Sequence, residues 1–211
     1  MRRDFHQAVR GLYAVTPDET DTAELLCKVR QALLGGARVL QYRNKSATAT
    51  LREEQARALR ELTHEFSVPL IINDDARLAQ QIGADGVHLG SEDGSVAAAR
   101  AVLGGSKIIG VSCYNRAILA HEAVRQGADY VAFGAFFSSS VKPDAVAADT
   151  ELLRRARAEL NVPLVAIGGI TALNGVRLLQ AGADALAVIS AVFVARDIQV
   201  AAQDFSKLFS H

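Results

Sequence analysis

The chain has 211 residues, half of them hydrophobic, which is enough to bury the core of one folded domain and excludes a disordered chain. Lysine plus arginine equals aspartate plus glutamate at 23 each, so the formal net charge is zero. This balance argues against the extended basic surface of a nucleic-acid-binding protein.

The two cysteines, Cys27 and Cys113, lie in neither a CxxC motif nor a metal-ligand spacing, and no disulfide framework is indicated. The first residues lack the apolar stretch of a signal peptide, and no run of about 18 apolar residues predicts a membrane helix. We therefore expect a soluble, cytoplasmic protein without a membrane or nucleic-acid partner. Residues 1–211 are expected to form a single domain, and the sequence leaves a homo-oligomer open.

Eight apolar, strand-like runs follow one another along the chain. Four begin with Gly-Ala-Arg or Gly-Ala-Asp, and two begin with Val-Pro-Leu. Helical patterns fill the gaps between them, and the clearest patterns cover residues 22–36, 50–66, 115–127 and 150–161. The strand-like runs start at Gly11, Gly36, Val68, Gly83, Lys107, Gly127, Val162 and Gly182.

Strict alternation of continuous apolar strands with helices predicts a parallel sheet that is covered on both faces. An open, doubly wound sheet would accommodate this alternation, but no GxGxxG motif follows the first strand. Eight units with four similar Gly-Ala turns favour closure of the sheet. We therefore predict an α/β fold, a (β/α)₈ TIM barrel in one domain.

Three long polar side chains, Gln41, Arg43 and Lys45, occupy alternate positions in the stretch "LQYRNKSATAT". Alternation of period two sends all three to the same face of an extended strand. If that face is turned to solvent, the stretch is an edge strand with a wet side. If it is turned into a closed barrel, the three side chains converge at the mouth, where barrel enzymes bind substrate.

Other polar or glycine residues stand at the ends of the remaining strands. Arginine grips phosphate with two parallel hydrogen bonds, lysine acts as a point charge, and carboxylates suit Mg²⁺ that bridges to phosphate oxygens. Glycines and a helix start suit a second phosphate. The pattern predicts a site for two phosphorylated reactants, one of them on Mg²⁺. The candidates beyond the second strand are Asn73, Asp74, His88, Asp93, Ser112, Ser139, Lys142, Gly168, Gly169 and Ser190.

Several candidates have a structural alternative. Asp74 is equally well placed to be the N-cap of the helix that follows it. His88, between two apolar neighbours, is more typical of a packed, hydrogen-bonded histidine than of a catalyst. Ser112 lacks the adjacent histidine and carboxylate that mark a nucleophile. Asp75 and Glu92 are more typical of the surface, and the histidines lack the spacing of zinc ligands.

The motifs resemble those of the thiamine-phosphate synthase family over essentially the whole chain. "QYRNK" is similar to the family's Gln-x-Arg-x-Lys motif, and "NDDARLA", "GVHLGSED", "IGVSCYN", "FGAFFSSSVKP", "VAIGGI" and "AVISAVF" follow in the family's order. The resemblance implies a Mg²⁺-dependent transferase of thiamine biosynthesis. Such an enzyme joins hydroxymethylpyrimidine diphosphate to hydroxyethylthiazole phosphate and releases pyrophosphate, through a pyrimidine-methyl carbocation that the thiazole nitrogen captures.

The resemblance also assigns roles to residues by matching position. Arg43, Lys45, Ser112 and Lys142 would act as catalytic residues on the diphosphate together with Asn73, and Gln41 would bind the pyrimidine ring. Asp74 and Asp93 would bind Mg²⁺. The thiazole phosphate would lie against Gly168, Gly169, Ile189 and Ser190.

One loop departs from the family's Gly-Pro-x-Phe-x-Thr-x-Thr-Lys pattern. Ser139 keeps a hydroxyl at the first threonine, whereas Val141 has none at the second. Loss of one hydrogen bond to a charged group costs about 1.5–3 kcal/mol. We expect this loss to weaken binding of the thiazole phosphate or to alter the preference for it.

Three other functions stay open on sequence alone: a thiazole tautomerase or regulatory paralogue, a phosphate-sugar aldolase or epimerase, and a binding module without activity. The intact Gln41-Arg43-Lys45 set counts against the paralogue. Strand interiors without lysine count against a Schiff-base aldolase. A binding module has no need of carboxylates suited to a metal beside cations suited to phosphate.

Overall fold

The computed structural model describes residues 8–138 and 147–210, in which parallel strands alternate with helices. The strands are β1 (Gly11–Val15), β2 (Val39–Tyr42), β3 (Leu70–Asn73), β4 (Gly86–Leu89), β5 (Ile108–Tyr114), β6 (Tyr130–Phe133), β7 (Leu164–Ile167) and β8 (Ala185–Val188). The helices are α1 (Thr22–Leu34), α2 (Ala49–Glu65), α3 (Ala76–Gln81), α4 (Val96–Leu103), α5 (Ala117–Arg125), α6 (Thr150–Glu159), α7 (Ala172–Gln180), α8 (Ser190–Phe193) and α9 (Ile198–Ser206), and a 3₁₀ turn, Lys207–Phe209, follows.

The sheet closes on itself in chain order. Each strand pairs in parallel with the next one, and β8 pairs with β1, so that Gly11 lies opposite Ala185. The predicted (β/α)₈ barrel is therefore confirmed, and the open sheet is excluded. Closure brings the carboxyl ends of the eight strands to one mouth.

Side-chain oxygens cap two of the predicted helices where their patterns begin. Asp21 accepts hydrogen bonds from the backbone N–H groups of Ala23 and Glu24, and Asp149 accepts one from Leu152. These carboxylates satisfy N–H groups that have no partner inside the helix, which is why α1 and α6 start there. In the part of the chain that the structure describes, no helix combines the length and apolar character needed to cross a membrane.

The strands separate two apolar layers because their side chains alternate. Leu12 and Ala14 of β1 face the helices and join the larger core between barrel and helices, whereas Tyr13 and Val15 face the barrel interior. The interior holds two phenols among its aliphatic side chains, Tyr13 and Tyr130, both almost completely buried. Polar groups in such a place need hydrogen-bond partners.

Three aspartates on the underside of the barrel, opposite the mouth, explain the repeated Gly-Ala-Asp motif. Asp85, Asp129 and Asp184 each precede an even-numbered strand, and each accepts a hydrogen bond from an N–H at the start of the preceding strand. The donors are Leu70, Ile109 and Leu164, at 3.0, 2.8 and 2.8 Å. Each carboxylate also pairs with an arginine of the helix that precedes the donor strand. These arginines are Arg60, Arg100 and Arg157. The motif thus ties strand pairs and a helix together.

The substitution Asp129→Ala is expected to lower the free energy of unfolding by about 2 kcal/mol, because a strand N–H and the Arg100 guanidinium lose their acceptor. Urea unfolding followed by circular dichroism measures this change. The control is Asp204→Ala, which removes an exposed pair with Lys207 and should change stability by less than about 0.5 kcal/mol. Equal stability of the two variants would contradict the structural role of the motif.

Candidate active site

A cavity of about 1020 Å³ opens at the carboxyl ends of the strands. Every predicted site residue that the structure describes lines it: Gln41, Arg43, Lys45, Asn73, Asp74, Asp93, Ser112, Gly168, Gly169, Ile189 and Ser190. His88, Glu92 and Ser91 line it as well. Ser139 and Lys142 lie outside the described residues, as does Val141, and their placement stays a prediction.

The face of "LQYRNKS" that carries the three long polar side chains is directed into the barrel. Gln41, Arg43 and Lys45 line the cavity, whereas the residues between them bind helix α2 on the outside of the barrel. The Tyr42 hydroxyl and the Asn44 amide both donate to Oε1 of Gln55 in α2, at 2.8 and 3.0 Å. The edge-strand alternative is therefore wrong.

Thr16, just beyond β1, fixes the backbone of Arg43. Its hydroxyl donates to the Arg43 carbonyl at 2.8 Å and accepts from the Arg43 N–H at 2.8 Å. This reciprocal pair holds the start of the loop after β2 against the adjacent strand. The two bonds hold the backbone from which the Arg43 side chain reaches the cavity.

Arg43 and Lys45 at the mouth each lie near a carboxylate, at distances longer than a close ion pair. Nη1 of Arg43 lies 3.3 Å from Oδ1 of Asp18, and Nζ of Lys45 lies 3.8 Å from Oδ2 of Asp74. Charge-assisted hydrogen bonds are usually 2.7–2.9 Å long, so these pairs are loose and leave donor capacity for an incoming anion. Asp18 escaped the sequence analysis, although its position just after β1 in "VTPD" is the same signal that marked the other strand ends.

Asp74 and Asp93 form a carboxylate pair beside the cations. Burial, reinforced by the nearby Asp93 carboxylate, raises the pKa of Asp74, and the positive charges of Lys45 and Arg43 oppose that rise. Asp93 itself accepts a hydrogen bond from the Gly90 N–H at 2.7 Å. Two carboxylates held this close repel each other unless a proton or a cation lies between them.

The backbone of Asp74 is held in an unusual conformation. Its φ of 67° lies in the left-handed region, which aspartate tolerates better than most residues, and its N–H donates to the His88 carbonyl at 2.8 Å. The N-cap of α3 is Asp75, whose Oδ1 accepts from the Leu78 N–H at 2.9 Å. The N-cap alternative for Asp74 is therefore wrong, because the next residue takes that role.

A chain of hydrogen bonds crosses the barrel interior beneath the cavity. Gln41 Nε2 donates to the Tyr13 hydroxyl at 2.9 Å, and the two phenols, Tyr13 and Tyr130, are bonded at 2.7 Å. Tyr130 bonds Nδ1 of His88 at 2.8 Å, and Nε2 of His88 bonds Oγ of Ser112 at 2.8 Å. This buried chain, from Gln41 to Ser112, joins residues of five strands. His88 is thus the packed, hydrogen-bonded histidine that its sequence context favoured.

Burial makes the interior of this chain neutral. It lowers the pKa of His88 to about 4 and raises the pKa of both phenols. At neutral pH the imidazole therefore carries one proton and each tyrosine keeps its own. Sequence analysis missed Tyr13 and Tyr130 because they lie within strands rather than at strand ends.

Two glycines after β7 shape the opposite side of the cavity. Gly168 and Gly169 have φ values of 104° and 62°, which favour glycine. A Cβ on Gly168 would lie 2.4 Å from Cβ of Ala135, and one on Gly169 would lie 2.5 Å from the Ser138 carbonyl oxygen. The loop after β6 therefore packs across these glycines, next to the start of α8 at Ser190.

Comparisons with known proteins identify relatives over the full length of the chain. The sequence model described as thiamine monophosphate synthase matches residues 12–192. The thiamine-phosphate synthase of Methylobacillus flagellatus is 55% identical over 210 residues, with 100% of both chains covered. That of Azoarcus sp. strain BH72 is 55% identical over 204 residues, which are 97% of this chain and 99% of the relative.

Solved structures give the same result. The thiamine phosphate pyrophosphorylase from Pyrococcus furiosus is 35% identical, covers 96% of each chain and superposes with a TM-score of 0.85. A 3-hexulose-6-phosphate synthase has a TM-score of 0.70 at 17% identity, which shows a shared barrel fold alone. The extent of these matches settles the classification. The chain belongs to the thiamine monophosphate synthase family, a family of transferases.

Proposed function

We propose that this chain is a Mg²⁺-dependent thiamine-phosphate synthase that joins hydroxymethylpyrimidine diphosphate to hydroxyethylthiazole phosphate and releases pyrophosphate. The observation that carries the proposal is the position of Arg43 and Lys45 next to the Asp74–Asp93 pair, at one end of a single cavity. Membership of the family and the names of the relatives support it. These residue types suit a diphosphate held by cations and by a metal.

The leaving group is the first task of such a site. Cleavage of the carbon–oxygen bond puts negative charge on the departing diphosphate, and groups that are already in place stabilise that charge without reorganising. Arg43 and Lys45 supply positive charge, and their carboxylate partners among the described residues lie at 3.3 and 3.8 Å. Asn73 adds an amide at the end of β3. Lys142 is the fourth group of this set by its match to the family motif.

The carboxylate pair fits Mg²⁺. Burial raises the pKa of Asp74, the nearby Asp93 carboxylate raises it further, and a divalent cation between the two would remove their repulsion. Within residues 8–138 and 147–210, no three His, Cys, Asp or Glu side chains are grouped to hold a metal ion. Mg²⁺ commonly takes only one or two carboxylates and fills its remaining positions with water and phosphate oxygens. When bound, it would offset diphosphate charge.

The second task is to hold the two organic fragments in register and away from water. Apolar side chains of Val15, Ala132 and Ile167 line the cavity beside the amide of Gln41, which faces the pyrimidine ring in our proposal. Gly168, Gly169, Ile189 and Ser190 border the opposite side and would bind the thiazole phosphate through backbone N–H groups. The thiazole nitrogen then captures the carbocation, so no protein nucleophile is needed.

The substitution Arg43→Ala is expected to slow pyrophosphate release by about a hundredfold, because the leaving-group charge loses its bidentate donor. A coupled pyrophosphate assay with both substrates and Mg²⁺ measures the rate. Arg57→Ala is the control, since Arg57 pairs with Glu53 on the exposed face of α2 and should leave the rate unchanged. An unchanged rate in Arg43→Ala would remove the proposed leaving-group role.

Chelation of Mg²⁺ is expected to stop product formation, and Asp93→Asn should raise the Mg²⁺ concentration for half-maximal rate at least about tenfold. A titration of thiamine phosphate formation against Mg²⁺ measures both effects. Asp204→Asn serves as the control and should leave the Mg²⁺ dependence unchanged, because Asp204 pairs with Lys207 at the exposed end of α9 and does not line the cavity. Formation of product in the presence of excess chelator would contradict the metal requirement.

Failure to form product at any Mg²⁺ concentration, together with interconversion of thiazole isomers, would favour the tautomerase instead. The same assay distinguishes the two functions when thiazole isomers are followed by chromatography. Wild-type protein is sufficient for this comparison. The synthase predicts both thiamine phosphate and an equal amount of pyrophosphate.

A further inference from the structure

The buried chain from Gln41 to Ser112 contains hydroxyl groups that each have one proton to donate. The direction of every bond in it therefore depends on the direction of its neighbours. One end is the Gln41 amide, whose nitrogen donates to Tyr13 in this structure and so sets the direction of the first bond. The other end, the Ser112 hydroxyl, borders the cavity. The direction of the first hydrogen bond can thus determine the direction of the last one.

The donor of each hydrogen bond can be assigned in order, starting from the Gln41 amide. Tyr13 accepts from Gln41, and among the described residues its remaining partner is the Tyr130 hydroxyl, so Tyr13 donates to Tyr130. Tyr130 then has its own proton left for Nδ1 of His88. A neutral imidazole whose Nδ1 accepts must carry its proton on Nε2, which donates to Oγ of Ser112. The serine proton is left over.

The opposite direction of donation would leave one buried hydroxyl proton without an acceptor. If Tyr130 donated to Tyr13, the Tyr13 hydroxyl would accept twice, and its own proton would have no acceptor among the described residues. Tyr13 is 1% exposed, so a buried donor without a partner would cost free energy.

The packing around Tyr130 supports a fixed arrangement. A Cβ on Gly110 would lie 1.9 Å from Cζ of Tyr130, so the glycine is what leaves room for the phenol. The imidazole of His88 stacks on the Tyr130 ring with centroids 5.6 Å apart. Neither ring can turn to another hydrogen-bond partner without breaking this packing.

We propose that the buried hydrogen-bond chain holds His88 as its Nε2–H tautomer and thereby directs the Ser112 proton into the cavity, toward the diphosphate that the family resemblance already assigns to Ser112. The inference rests on the proposed function for the identity of that anion. Ser112 is then a catalytic residue that touches substrate, and His88, Tyr130 and Tyr13 are positioning residues that act through it.

The tautomer is measurable without any substrate. Protein labelled with ¹⁵N-histidine contains five histidines, and His88→Gln identifies the His88 signals. We expect Nε2 to be protonated and Nδ1 to show the shift of an unprotonated ring nitrogen. Protonation at Nδ1, or an equal mixture of the two tautomers, would overturn the inference.

Two matched variants test whether the chain imposes this tautomer. Tyr130→Phe removes the hydroxyl that donates to Nδ1, so the His88 proton should become shared between the two nitrogens. Tyr13→Phe also removes a buried hydroxyl, but Tyr130 keeps its proton for Nδ1 and the Nε2–H tautomer should persist. If both variants keep the Nε2–H tautomer, or both lose it, the hydrogen-bond chain does not set the tautomer of His88 as proposed.

Kinetics test whether the effect reaches the substrate through Ser112. Ser112→Ala and Tyr130→Phe should each lower kcat/KM for the pyrimidine diphosphate by about tenfold to a hundredfold. In the Ser112→Ala background, Tyr130→Phe should add less than about twofold, since residues that act through one another are not additive. Additive losses would indicate a merely structural role for Tyr130 and overturn the inference.

The inference and the proposed function fail separately. Synthase activity with protonated Nδ1 contradicts the inference alone. The expected tautomer in a protein that forms no thiamine phosphate contradicts the proposed function and removes diphosphate as the acceptor of the serine proton.

Discussion

Closure of the parallel sheet is the constraint on which the rest of the molecule depends. Eight parallel strands that close in chain order must end at the same mouth, so residues distant in sequence become neighbours there. Arg43, Asp74 and Ser112 come from three different strand ends and line one cavity. On the opposite side, the Gly-Ala-Asp aspartates tie the strand starts to arginines. Stability and chemistry are thus separated at the two ends of the barrel.

The barrel interior is the unusual part of this arrangement. Barrel interiors are mostly aliphatic, but here two tyrosines, a histidine and a glutamine lie in or just beneath the site. Buried polar groups are costly unless each is hydrogen-bonded, and the chain from Gln41 to Ser112 satisfies them together. The floor of the cavity is therefore rigid and has a preferred direction of donation, which suits a site that must meet an anion with donors already in place.

The architecture, and the meeting of the candidate residues at one cavity, could be predicted from the sequence for a physical reason. Period-two alternation and strand ends are local patterns, and in a closed barrel these local patterns also determine global position. Gln41, Arg43 and Lys45 could be placed on one face from spacing alone. Whether that face met solvent or the barrel interior depended on closure of the sheet. The contacts of Tyr42 and Asn44 with Gln55 show that the opposite face packs on helix α2, so this face is the interior one.

The parts that sequence analysis missed depend on contacts between distant strands. Tyr13 and Tyr130 look like ordinary strand residues, and only their meeting across the barrel gives them a polar role. Asp18 and the assignment of the α3 N-cap to Asp75 rather than Asp74 depend on loop geometry, which spacing does not determine.

The central claim is that one end of this cavity binds diphosphate and Mg²⁺ together while the other binds a second phosphate. A crystal structure of the protein with pyrophosphate, Mg²⁺ and thiazole phosphate tests it most directly. We predict pyrophosphate on Arg43 and Lys45, Mg²⁺ between Asp74 and Asp93, and the second phosphate against Gly168 and Gly169. Pyrophosphate bound elsewhere, or a metal ion that contacts neither aspartate, would contradict the claim.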